Sequence, residues 1–112
     1  MNHCTFRAAV PGDETLILDF IHQLAIYERM DDQVVATPEL LTEWIFEKQK
    51  AEVVFAEVDG QPVGFTLFFH NFSTFLGKAG IWLEDLFFLP EYRGKGYGKA
   101  ILQKLASIAV ER

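Results

Sequence analysis

The chain has 112 residues, half of them apolar and 14% aromatic with eleven Phe, which suits one small domain over 1–112 and excludes a disordered chain. Sixteen acidic against ten basic residues leave a formal charge of −6, which argues against a nucleic-acid partner and favours a cationic substrate, although the same balance also serves solubility. The single cysteine, Cys4, excludes an internal disulfide and speaks against a zinc cluster. The apolar runs are too short to span a bilayer and no signal-peptide pattern opens the chain, so a soluble, cytoplasmic protein with no membrane partner and no metal is expected.

Thr5 to Ala9 predicts a short first strand. Asp13 is placed to cap a helix reaching about Arg29, in which Leu16, Ile17, Phe20, Ile21 and Leu24 recur at helical spacing. Thr37-Pro38-Glu39 is a second helix start, with cap, proline at the first position and an acid in the first turn. Leu40, Leu41, Trp44 and Ile45 give that helix an apolar face. The period then changes. Glu52 to Val58 predicts a strand, Asp59-Gly60 a two-residue hairpin turn and Gln61 to His70 the returning strand. Asn71 to Gly80 predicts a loop, and Ile81 to Leu89 a further strand ended by Pro90. The last element is a helix over Lys99 to Val110, with Ile101, Leu102, Leu105 and Ile108 on one face. The order β-α-α-β-β-β-α is an α+β arrangement. Phe65, Phe68 and Phe69 are expected in its core.

The most telling stretch is Arg93-Gly94-Lys95-Gly96-Tyr97-Gly98, between the last strand and the last helix. A helix start has unpaired N–H groups and a dipole that favours an anion, and glycines let the backbone approach a ligand at positive φ. A nucleoside-triphosphate loop needs Ser or Thr after Gly-Lys, and here Gly96 follows Lys95. A dinucleotide fingerprint needs other glycine spacing and an acid about twenty residues later. What remains is Arg-x-x-Gly-x-Gly at Arg93, Gly96 and Gly98, a phosphate-binding turn whose bland alternative is a loop that only reverses the chain.

This turn, with Leu83-Glu84-Asp85-Leu86-Phe87-Phe88-Leu89-Pro90-Glu91-Tyr92 before it, resembles the acetyl-CoA signature of the GNAT N-acetyltransferases. Arg7-Ala8-Ala9, Leu24-Ala25-Ile26-Tyr27-Glu28 and Trp82-Leu83-Glu84-Asp85 extend the likeness to the diamine acetyltransferase branch, which acts on spermidine, spermine or thialysine. The resemblance implies a mostly antiparallel sheet flanked by helices. It also implies that backbone groups of Leu86, Phe87 and Phe88 hold the pantetheine arm of acetyl-CoA, and that N–H groups of Arg93, Gly94, Lys95, Gly96, Tyr97, Gly98 and Lys99 wrap its diphosphate. Arg93 either meets the anion or pairs with Glu91 at the surface. Lys95 and Lys99 are phosphate neighbours or solvated lysines.

An amine must lose a proton before it attacks a thioester. Glu84 is the candidate base, with a raised pKa if partly buried, against the alternative of a solvated strand residue. Asp85 ranks second. The resemblance puts Tyr27 and Glu28 at the acceptor pocket, with Glu28 attracting a cationic amine. Asp31 and Asp32 extend that acidic rim or form a solvated turn. His3, His22 and His70 have no metal-ligand spacing, and Cys4 has no visible base, so no covalent nucleophile is expected.

In this family the chain continues past the last helix, supplying the other wall of the coenzyme slot and a tyrosine that protonates the departing thiolate. No residue of 1–112 matches that tyrosine, and neither Tyr92 nor Tyr97 receives the role. The strand Ile81 to Leu89 is then an apolar sheet edge, which a second copy would cover, so a homodimer is expected. The expected function is acetyl transfer from acetyl-CoA to a primary amine of a small cationic substrate, such as a polyamine or lysine analogue, by direct attack in a ternary complex. The alternative is a non-catalytic CoA-binding or dimerising module.

Overall fold

Runs of alternating apolar residues pair into one antiparallel sheet. The computed structural model describes residues 4–112 and orders the strands β1-β2-β3-β4. They are β1 (Cys4–Ala8), β2 (Glu52–Val58), β3 (Gln61–Ser73) and β4 (Lys78–Phe88), and each neighbouring pair is antiparallel. Asp59 and Gly60 turn the first hairpin at φ 53° and 77°, the positive angles that a two-residue primed turn requires. The β3–β4 hairpin is longer than its sequence predicts. Both strands continue through the expected loop and close in a turn over residues 74–77, where Leu76 N–H donates to Ser73 Oγ and Gly77 N–H to Ser73 O.

The pleat sorts side chains to two faces. Val53 and Phe55 of β2 face helix α1 (Glu14–Tyr27) and helix α2 (Pro38–Leu41, continued as a π-helical turn over Thr42–Glu47), in a core with Ile17, Phe20, Leu41, Ile45, Phe65 and Phe87. Val54, Ala56 and Val58 face helix α3 (Tyr97–Glu111), in a core with Val63, Phe68, Phe88, Ile101 and Leu105. Phe20 is the hinge of the first core: its ring stacks on Phe65 at 5.5 Å and meets Phe55 and Phe87 at 6.2 and 6.4 Å. One side chain thereby fixes α1 on three strands, and each buried Phe contributes about 1.5–3 kcal/mol from area alone.

The capping signals meet different outcomes. Thr37 Oγ1 accepts from Leu40 N–H at 3.1 Å, and Pro38 opens the helix as read. Asp13 precedes α1 but its side chain does not cap it. Its carboxylate accepts from Val10 N–H and from Arg7, whose guanidinium also reaches Glu57. Burial pushes the Asp13 carboxyl up, yet the bonds from Arg7 and Val10 and the Arg7 charge outweigh it and hold the group below its usual value. The result ties β1, β2 and the start of α1 together. Helix α1 stops at Tyr27, short of the expected Arg29, because Arg29 adopts φ 59° and Met30 N–H reaches back to Ala25 O. Helix α3 begins two residues earlier than read, so Gly98 lies inside its first turn. Leu40, Trp44 and Leu102, expected on core-facing stripes, are exposed, and Phe69 is half-buried. His3 lies outside the described residues.

Gly64 was not singled out by any turn signal, yet packing requires it. A Cβ there would stand 2.5 Å from the Phe88 ring and 2.7 Å from Phe87 O. Gly64→Ala is therefore expected to lower stability by about 1–3 kcal/mol, read as a reduced urea midpoint with unchanged far-UV circular dichroism before the transition.

Candidate active site

Strand β4 is an edge strand, and the phase of its pairing with β3 decides which groups it offers. Leu89 N–H donates to Val63 O at 2.9 Å beyond the strand's end. In an antiparallel ladder the bonded pairs recur every second residue, which turns the backbone groups of Phe87 (opposite Phe65) and Asp85 (opposite Leu67) toward β3. Leu86 and Phe88 then turn theirs to the open edge. Of the three residues expected to hold an extended ligand by their backbone, Leu86 and Phe88 are so oriented. Phe87 instead contributes its ring to the α1 core.

The ladder breaks once. Leu67 pairs with Asp85 but Phe68 pairs with Leu83, so Glu84 is the extra residue of a β-bulge. The bulge turns Glu84 outward, where it is exposed. The half-buried carboxylate is its neighbour Asp85, whose pKa is raised by burial first and then by the charges of Glu84 and Glu28. The condition attached to Glu84, partial burial with a raised pKa, is met at Asp85. The bulge could not be read from apolar alternation, because Leu83 and Leu86 fit either strand phase.

Glu28, directly after the end of α1, adds its charge to the field at Asp85. Beside it Tyr27, 65% exposed, meets the Phe87 ring edge-on at 6.5 Å. The structure thus brings Tyr27, Glu28, Glu84 and Asp85 to one side of β4, an acidic patch with an aromatic wall. Asp31 and Asp32 form a short 3-10 turn nearby in sequence and are exposed. Cys4 lies on the other core, and burial pushes its thiol up, away from the reactive thiolate. His22 and His70 are exposed. Among the described residues no group of three or more His, Cys, Asp or Glu is placed to hold a metal, and no helix is long and apolar enough to cross a membrane.

At the other end of the strand, a 3-10 turn at Pro90–Tyr92 leads into the glycine loop. Gly94 and Gly96 sit at φ 75° and 81°, which L side chains adopt only with strain. Gly96 occupies the cap position of α3, and no side chain caps it. Among the described residues no backbone acceptor meets the N–H groups of Gly94, Lys95, Gly96, Tyr97, Gly98 or Lys99, and the first return bond of the helix is Ala100 N–H to Gly96 O. Tyr97 packs on Phe88 and Tyr92, which fixes the start of α3 against the strand. Lys95 and Lys99 are exposed, and Lys95 lies 5.9 Å from the Tyr92 ring. Arg93 does not pair with Glu91; its Nε donates to Phe88 O at 2.9 Å. A cleft of about 590 Å³ opens elsewhere, beside the start of β2, and none of the sequence-predicted site residues lines it.

The site thus combines an open strand edge, a loop of N–H groups without backbone acceptors and a carboxylate patch beside the edge. Comparison with known proteins assigns the class. The model of the acetyltransferase (GNAT) family matches residues 18–112, and the chain belongs to that family. It is 36% identical over 115 aligned residues to a thialysine N-epsilon-acetyltransferase of Bos taurus, covering 95% of this chain and 67% of the relative. It is 28% identical over 151 residues to an L-ornithine N5-acetyltransferase of Arabidopsis thaliana, covering 94% of this chain and 66% of the relative. The chain therefore spans about two thirds of the length of these curated relatives. The fold also matches the crystal structure of a predicted acetyltransferase with acetyl-CoA from Clostridium acetobutylicum, with a TM-score of 0.81, 19% identity, 98% of this chain and 75% of that one. The chemistry of the class is acetyl transfer to an amine.

Asp85 supplies a test of the acidic patch. Its folded pKa is raised, so folding favours its protonated form: the ionised group weakens the fold at neutral pH, and the penalty disappears once the pH falls below the ordinary aspartate value. Asp85→Asn is expected to melt higher than the parent at pH 7, with the difference closing between pH 7 and about pH 4, measured as paired thermal midpoints across that range.

Proposed function

We propose that the chain uses acetyl-CoA to acetylate the terminal primary amine of a small cationic acceptor, a polyamine or a basic amino acid of the lysine kind. The observation that carries this reading is the run of six consecutive free N–H groups, Gly94 to Lys99, at the foot of an open strand edge. A diphosphate satisfies such a run, with the dipole of α3 adding attraction. Lys95 and Lys99 stand beside it with compensating charge. Leu86 and the N–H of Phe88 offer the pantetheine amides the hydrogen bonds of a missing neighbour strand, the Phe88 carbonyl being held by Arg93. The thioester then lies near the bulge.

The acceptor enters from the α1 side. Glu28, Glu84 and Asp85 draw a cation there, and Tyr27 lines the way. The names of the relatives, which act on thialysine and on ornithine, support an amine at the end of an amino-acid side chain. Glu84, exposed on the bulge, takes the ammonium proton directly or through water. The neutral amine attacks the thioester carbonyl, and a strand N–H at the bulge meets the negative charge growing on oxygen. The adduct collapses to the amide as the C–S bond breaks, the second proton lost from nitrogen passing through water to the departing coenzyme thiolate. No cysteine takes part. We further propose a cytoplasmic homodimer in which a second copy covers the stretch of the β4 edge around Trp82, which is 53% exposed, and leaves the stretch from Leu86 to Phe88 to the coenzyme.

Two measurements test the reading. The thermal midpoint should rise with CoA, by the equivalent of about 2.7 kcal/mol at a hundredfold excess over the dissociation constant, and no shift at millimolar CoA would refute it. In a thiol-release assay with thialysine, ornithine and spermidine, Glu84→Gln should lower kcat by about 10²–10⁴-fold; undiminished turnover removes Glu84 as the base.

A further inference from the structure

We infer that Arg93 is a positioning residue that couples the coenzyme loop to the acceptor pocket, an inference that rests on coenzyme binding at that loop. Arg93 stands between the Pro90–Tyr92 turn and Gly94, at the entrance to the run of free N–H groups. Arg93 is exposed, yet its side chain folds back over the sheet edge rather than standing free. Nε donates to Phe88 O at the open edge of β4, while Cζ lies 4.4 Å from the ring centroid of Tyr27 and 5.2 Å from that of Phe87. Among the described residues no carboxylate lies within ion-pair distance of it.

A guanidinium can do this and an ammonium cannot. It is planar, so it stacks on a ring with its face while donating hydrogen bonds in its plane. One side chain thereby joins three elements: the loop before α3, the edge of β4 and the last residue of α1. Tyr27 is mostly exposed, and its ring rests on Phe87 and Arg93. Glu28 follows it directly, and its charge is felt at Asp85 on β4. A diphosphate that fixes the loop therefore fixes Arg93, and Arg93 fixes the ring and the acidic group of the acceptor side. The coupling must run both ways, since it is a free energy shared by two binding steps.

The test is calorimetric titration with CoA of the parent chain, Tyr27→Leu, Tyr27→Phe, Arg93→Lys and the double variant Arg93→Lys/Tyr27→Leu, with circular dichroism to verify folding. Tyr27→Leu should weaken CoA binding about two- to fivefold although it belongs to the acceptor side. Tyr27→Phe, which keeps the ring, should retain the parent affinity. In the Arg93→Lys background, where charge remains and the stacked plane is lost, Tyr27→Leu should cost clearly less than in the parent. An equal effect of Tyr27→Leu in both backgrounds, or no effect in the parent, overturns the coupling while leaving coenzyme binding intact. A parent chain that binds no CoA overturns the coenzyme reading itself, and the coupling with it.

Discussion

The phase of the β3–β4 ladder is the constraint from which the rest of the site follows. Once Leu89 is bonded to Val63, alternation leaves no choice about which backbone groups of β4 face β3 and which face the open edge. The same phase sends Phe87 into the α1 core and Phe88 into the α3 core. One extra residue then resets it. The bulge at Glu84 lets two adjacent carboxylates differ in environment, one exposed and one half-buried, where an unbroken strand would place them on opposite faces.

Two cores on opposite faces of one sheet give the acidic patch and the glycine loop separate supports. Helix α1 rests on one face through Phe20 and ends at Tyr27 and Glu28, beside the carboxylates of β4. Helix α3 rests on the other through Ile101 and Leu105 and begins at Gly96, where the free N–H groups lie. The acidic patch and the glycine loop are thus positioned by different helices. Arg93 is the side chain that touches both, through the Tyr27 ring and the Phe88 carbonyl.

Much of this was legible in order along the chain. The Asp59-Gly60 turn, the Thr37-Pro38 helix start and the strand over Glu52–Val58 are local matters of φ preference, capping and alternation, and they stand where the sequence puts them. The misplacements are non-local. Asp13 has the chemistry of a cap, but Arg7 on the neighbouring strand and Val10 N–H hold its carboxylate elsewhere. The expected loop at Asn71–Gly80 became strand because β3 and β4 support each other beyond the sheet's other strands. Glu84 is exposed and Asp85 half-buried because of a bulge, which depends on the partner strand's register.

The sequence by itself determined the order of the main elements, the glycine loop and the family, since the Thr37 cap, the Asp59-Gly60 turn and the positive-φ glycines are set by neighbouring residues. Tertiary structure alone decided which carboxylate is half-buried, which backbone groups of β4 stay open, and that Arg93 lies on Tyr27. Those depend on register and on contacts between residues far apart in the chain, and no local preference encodes such a distance.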